Sequence, residues 1–373
     1  MKKQIVLALG LAVMATPALA TRARLLALGE DANGSFYIND NRNMFLNASE
    51  INNNKDFVTY ELSQQAGVVK SVNNMVYGIQ MNNGSNFNST QGLTATNNLE
   101  SISGLTPNSI DLFVGGDMGV KWGANLTYVN GTDENATVGS SDPENATPVV
   151  NDIQADSETK AMDLNVGVQA GDIKGFVKYG INGESTYKDA NTAVAIAKAT
   201  VKRDQDLTLG AAYQLNAYTI FGQFNMNEYT AKVDGAKTTT KDSSFSVGAG
   251  RQDKLNDKVT LFTKASYVNF NSEFKDTAKE TDKGWSVPVV VGVEVDAASW
   301  VTFRASASQD ILSGNENKTT VKTKSTNNSS IATNAGASLK FGEFGIDGLI
   351  SAQDTGNLTT DTLLTTASMT YKF

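Results

Sequence analysis

From about residue 109 to its last residue, this chain repeats one unit. A stretch of alternating apolar and polar residues is followed by a tight turn, a second such stretch, and a long polar connection. In "MDLNVGVQA" (162–170), Met162, Leu164, Val166, Val168 and Ala170 share one face, and Asp163, Asn165, Gly167 and Gln169 share the other. "LTLGAAYQL" (207–215), "WSVPVVVGVEV" (285–295) and the closing "LLTTASMTYKF" (363–373) follow the same rule. A period of two residues belongs to a β-strand whose two faces meet different surroundings. Its recurrence along most of the chain predicts an all-β fold. Helical spacing stands out only in "DANTAVAIAKATVKR" (189–203), which reads as a short loop helix.

The connections alternate in length. Short ones fall near 117–119, 171–174, 216–217, 252–257, 296–299 and 342–343. Long ones, rich in Asn, Thr and Asp, fall near 83–108, 130–159, 184–204, 229–242, 271–283, 310–329 and 353–361. One end of the fold therefore carries tight turns and the other carries long loops. A β-sandwich has no need of that regularity; a membrane-spanning barrel shows it as a rule. Loop 130–159 holds acidic residues and no Lys or Arg, which reads as a solvated, exposed surface.

What precedes the strands fits an exported protein. "MKKQIVLALGLAVMATPALA" has a charged start at Lys2 and Lys3, an apolar stretch from Ile5 to Val13, and a small-x-small site at Ala18-Leu19-Ala20. Residues 1–20 are expected to be a cleaved signal peptide, with Thr21 first in the mature chain. Removing Lys2 and Lys3 leaves 29 basic against 39 acidic residues, a balance that disfavours nucleic acid as a partner. No later stretch reaches 18 continuous apolar residues, so no helix is expected to cross a bilayer. The mean hydropathy of −0.27 does not contradict a membrane location, because a barrel with one lipid-facing and one lumen-facing side averages the two.

In hydrocarbon, every backbone N–H and C=O must find a partner within the protein, so a sheet enters only as a closed ring. Counting from "MVYGIQMN" (75–82) to 363–373 gives a closed antiparallel transmembrane β-barrel of about 14 strands. The alternative is 16, if "FVTYEL" (57–62) pairs with an upstream strand such as "GSFYIN" (34–39). The domain order is then signal peptide 1–20, an N-terminal segment 21–56, and a barrel over 57–373. Pro288 inside a strong strand predicts a local bulge.

A Gram-negative type of leader, repeated amphipathic strands and a last strand ending Met369-x-Tyr371-x-Phe373 together resemble the porin-type outer-membrane proteins. That resemblance implies a multi-pass barrel in the cell outer membrane, amid lipid and lipopolysaccharide. It also implies that Met369, Tyr371 and Phe373 form the signal read by the barrel-assembly machinery. Homotrimers are common in the class, but no interface is readable here. Trp285, Trp300, Phe341 and Phe344 sit near strand ends and are expected in the interfacial aromatic girdles.

With the apolar face toward lipid, Asp111, Lys121, Asp163, Lys178, Lys264, Glu294, Arg304, Lys340 and Asp347 become candidate pore-lining residues, and Lys372 a rim residue. A polar wall of mixed charge predicts passive diffusion of small hydrophilic solutes and ions. Phe113, Phe221, Phe262, Val290 and Leu349 also point inward, and an infolded loop or plug is what such residues would pack against. Segment 21–56 has no clear period and is the plug candidate. Fatty-acid-transporter-like barrels carry an Asn-Pro-Ala motif in such a hatch; Asn47-Ala48-Ser49 has a similar place without the proline. The second reading is therefore a hatch-gated transporter of hydrophobic substrates, and the third a structural or adhesive surface barrel. The chain has no Cys and no His. That removes disulfides, His- or Cys-based metal sites and the usual Ser–His base, so neither enzyme activity, cofactor nor metal is expected.

Overall fold

The structure is a computed structural model. It describes residues 21–373 apart from 63–64, 86, 88–98, 104–107, 141–152, 190–197, 234, 277–278, 319–321, 327–330 and 353–365. The expected signal peptide, and Leu363 and Thr365 of the last strand, lie outside the described residues.

Eighteen strand segments form one antiparallel sheet that closes on itself. They begin with β1 (Phe57–Glu61), β2 (Gln65–Val72) and β3 (Met75–Met81), and end with β16 (Ala332–Phe341), β17 (Phe344–Ala352) and β18 (Thr366–Lys372). β18 pairs with both β17 and β1, from Phe57↔Lys372 to Glu61↔Ser368, and this pairing seals the ring. Two positions in the ring are each filled by two segments. β4 (Leu99–Ser103) and β5 (Asn108–Asp117) both run along β6 (Lys121–Ser140). β15 (Lys322–Ser325) and β16 both run along β14 (Val301–Lys318). The barrel therefore has sixteen strands.

Sixteen replaces the expected fourteen, and not by the route expected for sixteen. The 57–62 stretch is indeed a strand, but its partner on the second side is β2. Gly67, Lys70 and Ser71 interrupt the apolar alternation of β2, so period alone does not find it. Residues 34–39 lie in no barrel strand.

The expected long loops are partly strand as well. β10 (Tyr218–Val233) and β11 (Ala236–Asn256) pair up to Val233↔Ala236, so 229–233 and 236–242 are strand. Residues 198–203, expected in a loop helix, open β9 (Lys198–Leu215). Above the bilayer both faces of a strand meet polar surroundings, so pairing continues where hydrophobic alternation stops. A register shift falls at Val287/Pro288, where the proline cannot donate to the ladder.

Outward positions are apolar over a belt about nine residues tall, which strand rise and tilt convert to about 25 Å. Val166, Val168, Leu209, Tyr213 and Val291 are among its exposed members. No helix in the described residues is long and apolar enough to cross a membrane. A closed barrel with an apolar outer belt and a polar interior is a multi-pass β-barrel of the outer membrane.

The interior is occupied. Residues 21–56 fold inside the ring as a plug, and it supplies much of the buried core. α1 (Arg22–Ala27) combines helix-favouring Ala, Leu and Arg with Thr21 as its N-cap, whose hydroxyl accepts from the Arg24 amide at 3.3 Å. It ends just before Gly29, which takes φ +76°, a left-handed value that suits a helix terminus. α2 (Asn43–Leu46) and a 3₁₀ turn over Ala48–Asn52 follow.

Candidate functional site: the plugged lumen

The plug meets the wall in two ways. On one side, Arg24 of α1 donates to the Asn39 carbonyl (2.9 Å), to Asp40 (3.1 Å) and to the wall residue Glu294 (3.1 Å). Glu294 also accepts from Arg304 at 2.5 Å, and Arg304 pairs with Asp347 at 3.1 Å. Thr21 returns the chain of contacts to the plug by donating its hydroxyl to Asp347 at 3.0 Å. Lys264 pairs with Glu30 of the plug. Arg42 reaches Glu61 (3.4 Å), Gln65 (3.1 Å), Asn33 (2.9 Å) and Asn83 (2.6 Å), with its guanidinium over the Phe45 ring at 4.3 Å. Every one of these charges is removed from bulk water, so each depends on its partners. Burial pushes the Asp40 carboxyl up to about 6, against the opposing pull of Arg24. Burial also pulls the Arg42 guanidinium below its usual range, opposed by Glu61.

On the other side the contact is close packing. Met44, Phe45 and Ile51 form one core with Phe57, Val69, Val76 and Phe113. The 3₁₀ turn lies flat on the wall where Gly123 and Gly167 face inward. A Cβ on Gly123 would overlap the Ala48 carbonyl, and one on Gly167 would overlap the Asn47 side chain. Only glycine lets two backbones approach so closely.

The five apolar wall residues expected from the sequence to point inward all lie against the plug. Phe113 meets Phe45 edge-on, with centroids 5.4 Å apart, and Phe221 stacks on Phe36 at 4.8 Å. Phe262 packs with Leu25, Leu28 and Ile38. Leu349 packs with Ala23 and Ala27, and Val290 sits over Gly29.

The charged wall residues all face inward, but the structure divides them. Asp347, Glu294, Arg304 and Lys264 belong to the plug contacts above, and Lys121 donates to Asn53 of the plug at 2.5 Å. Asp111 is buried against Asn125 (3.2 Å) and Thr127 (2.5 Å), within the wall. Asp163 pairs with Arg203 at 2.6 Å, and Arg203 also holds Asp206 at 3.1 Å. Lys340 is half-buried near the turn end of β16, and Lys372 is half-buried near the rim. Lys178 lines open space. Trp285, Trp300 and Phe341 are exposed on the outer face, with Phe344 paired to Phe341 across the turn. Met369, Tyr371 and Phe373 alternate with the buried Ser368 and Thr370, so all three point outward.

Arg203 and Asp206 escaped the sequence reading. Strand parity carried back from Leu207 identifies Asp206 as inward, but it would put Arg203 outside. A register shift where Glu228 pairs with Gln205 and Tyr229 with Arg203 turns Arg203 inward, and 189–203 has helical spacing in any case. The plug's Arg24, Arg42 and Asp40 had no periodic signal at all.

Above the plug, on the long-loop side, lies a cavity of about 820 Å³. Its wall includes Thr208, Gln223, Asn225, Asn227, Ser246 and Lys178, with Phe36 and Tyr37 of the plug on its floor. Gln223 donates to Asn225 and Asn225 to Ser244, both at 2.9 Å. No group of side chains suited to a metal ion occurs among the described residues.

No family model matches the chain, and no curated protein matches it. Solved structures of outer-membrane barrels do. The Pseudomonas putida toluene transporter TodX is 12% identical, with 96% of this chain and 99% of that chain covered and a TM-score of 0.43. The FrpB iron transporter from Neisseria meningitidis is 10% identical, with 83% and 64% covered and a TM-score of 0.41. OmpT, an outer membrane protein of Vibrio cholerae, is 11% identical in its in-vitro folded form, with 85% and 96% covered and a TM-score of 0.30. Likeness at this level decides nothing about what the present barrel carries.

Proposed function

We propose that this protein is an outer-membrane channel for small hydrophilic solutes, kept closed on the periplasmic side by its own N-terminal segment. The observation that carries the reading is the cavity above the plug. Its side wall is a run of amides and hydroxyls on neighbouring strands, each able to exchange a solute's hydrogen bonds for its own. A route built for hydrocarbon would leave those groups unpaired at a cost. The polar contacts of the plug support closure, since they tie it to wall residues that include Glu61, Gln65, Lys121, Lys174, Lys264, Glu294 and Asp347. Transit then requires the plug to shift, and the wall charges now paired with it become the lining of the opened pore.

Planar-bilayer recording tests this. The mature chain is expected to conduct rarely and in small steps, and the double variant Arg24→Ala, Arg42→Ala to conduct often and in larger ones. A barrel that stays silent in both forms defeats the proposal.

One observation favours the hatch-gated route for hydrophobic substrates. The cavity floor is aromatic, with Phe36 stacked on Phe221 and Phe176 beyond it at 6.1 Å. Uptake of a labelled hydrocarbon into liposomes, at a rate above that of a sugar of equal size, would select this second reading.

A further inference from the structure

The geometry points to a built site for a primary ammonium group at the foot of the barrel, filled by the N-terminus of a chain cut between Ala20 and Thr21. Three inward side chains form a row across adjacent strands: Glu61 on β1, Ser368 on β18 and Asp347 on β17. The register places Glu61 opposite Ser368 and Ser368 opposite Asp347. All three are almost fully buried, at 1%, 1% and 2% exposure. Thr21, itself at 0% exposure, sits on this row. Its hydroxyl donates to Asp347 Oδ2 at 3.0 Å, and the next amide, that of Arg22, donates to Glu61 Oε1 at 3.4 Å. The Thr21 hydroxyl and the following amide thus bond to the carboxylates at the two ends of the row, with the Thr21 nitrogen on the residue between those contacts.

The row is also incomplete in a specific way. Glu61 Oε2 and Ser368 Oγ are buried atoms with no hydrogen-bond partner. The arginines nearby do not fill the gap. Arg42 reaches Glu61 through Oε1, Arg304 reaches Asp347 through Oδ1, and Arg24 is engaged by Asp40 and Glu294. Arg22 uses its backbone amide here, not its guanidinium. Buried acceptors without donors are costly and rare. A backbone amide at Thr21 has one hydrogen and no charge, whereas an α-ammonium has three hydrogens and a positive charge. That is the donor set which Glu61 Oε2 and Ser368 Oγ lack, beside an Asp347 carboxylate already held by Thr21, Arg304 and Ser338.

The sequence supplies the means. Ala18-Leu19-Ala20 is the small-x-small pattern that a leader peptidase cuts, immediately before Thr21. With water as co-reactant, the C–N bond between Ala20 and Thr21 breaks. The water oxygen bonds to the Ala20 carbonyl carbon, which leaves as a carboxylate, and both water protons end on the Thr21 nitrogen. The new charge then enters the site, so removal of the leader completes the seat of the plug. An added residue at the front would move the charge away from the row. This inference rests on the position of the plug, not on any solute, and its test does not involve transport.

The test uses protein purified from outer membranes. Intact mass should place the N-terminus at Thr21. A small amine-reactive reagent at neutral pH, with the labelled site located by peptide mass, should modify the Thr21 α-amine at least tenfold more slowly in the folded barrel than in urea. Glu61→Gln and Asp347→Asn should each raise that rate severalfold, in barrels shown to be folded by heat-modifiable gel mobility. Because either variant could fail to fold, the second arm leaves the row intact. A chain carrying one extra alanine before Thr21 is refolded beside the chain that starts at Thr21. The longer chain should lose protease protection of residues 21–56. A different N-terminus, an α-amine labelled as fast in the folded barrel as in urea, or equal protection of the two chains would each overturn the inference.

Discussion

Residues 21–42 of the plug meet the barrel through buried charge pairs as well as apolar packing, and residues 43–53 mainly through shape. Arg24, Arg42 and Glu30 in the first stretch pair with Glu294, Glu61 and Lys264 of the wall. In the second stretch the Ala48 carbonyl rests on Gly123 and Asn47 on Gly167, with one ion pair, Glu50 to Lys174 at 2.6 Å. The two kinds of contact fail differently. Ionic partners can be exchanged for water, protons or other ions, so the strength of that half follows pH and salt. Backbone lying against backbone has no such substitute and responds only to volume. Within one plug, the first stretch should thus respond to pH and salt, and the second to volume.

The largest effect should come from Arg304, which joins Glu294 to Asp347 and is 1% exposed. Arg304→Met leaves Asp347 buried without its cation and is expected to cost about 3–5 kcal/mol, read as a lower urea midpoint for exposure of the plug to protease. A midpoint unchanged from the parent would mean that the charged half is not what holds the plug.

Next in size is the effect of pH through Asp40. Its carboxyl is raised to about 6 in the seated plug and returns toward its ordinary value of 3.8 on release. The seated form therefore binds the proton more tightly. The cost of the buried anion is fully present above about pH 6 and fades as pH falls toward 3.8, a difference of at most about 3 kcal/mol. Release should be easier at pH 8 than at pH 5, and Asp40→Asn should flatten the profile. Arg24 and Asp347 act on this group by charge, and the Arg42 backbone amide donates to it at 2.9 Å. The opposite slope in channel openings against pH would contradict the assignment.

Gly123→Ala tests the other half. Its Cβ meets the Ala48 carbonyl, and overpacking of this kind costs about 1–3 kcal/mol. Its defining property is indifference: the loss should be the same in 0.05 M and 1 M salt, whereas the loss from Arg42→Ala should change. Equal salt dependence in both would erase the contrast between the halves.

The smallest effect should be that of Lys70→Ala at the rim. Lys70 pairs with Asp56 at 3.2 Å and covers the Phe373 ring at 4.5 Å, but its side chain is 54% exposed. Such pairs contribute less than about 1 kcal/mol, so barrel stability in denaturant should scarcely move.

The sequence reading reached the wall further than it reached the plug. Strand parity is a local property, so Met162 and Asp163, or Tyr371 and Lys372, can be sorted into outside and inside without knowing any neighbour. The count of strands is not local. β2 shows one face of Gly67, Val69 and Ser71 and another of Val68, Lys70 and Val72, too mixed for alternation to register. The plug left an imprint on the wall before it could be seen. Phe113, Phe221, Phe262, Val290 and Leu349 are apolar where a water-filled pore would be polar. What no period carries is the pairing of Arg24 with Glu294, 270 residues away. That contact exists only after the ring has closed.

Closure itself has a consequence for the order of assembly. The seat of Thr21 is made by the first strand of the barrel and the last two, and the amide of the final residue, Phe373, is held by the carbonyl of Asp56 at 3.0 Å. The plug precedes every strand in the sequence, yet its anchoring site does not exist until β18 has been laid down. A barrel short of its last strand would have both an open seam and an unseated plug. The same few residues thus report, at one place, that the wall is complete and that the passage is shut.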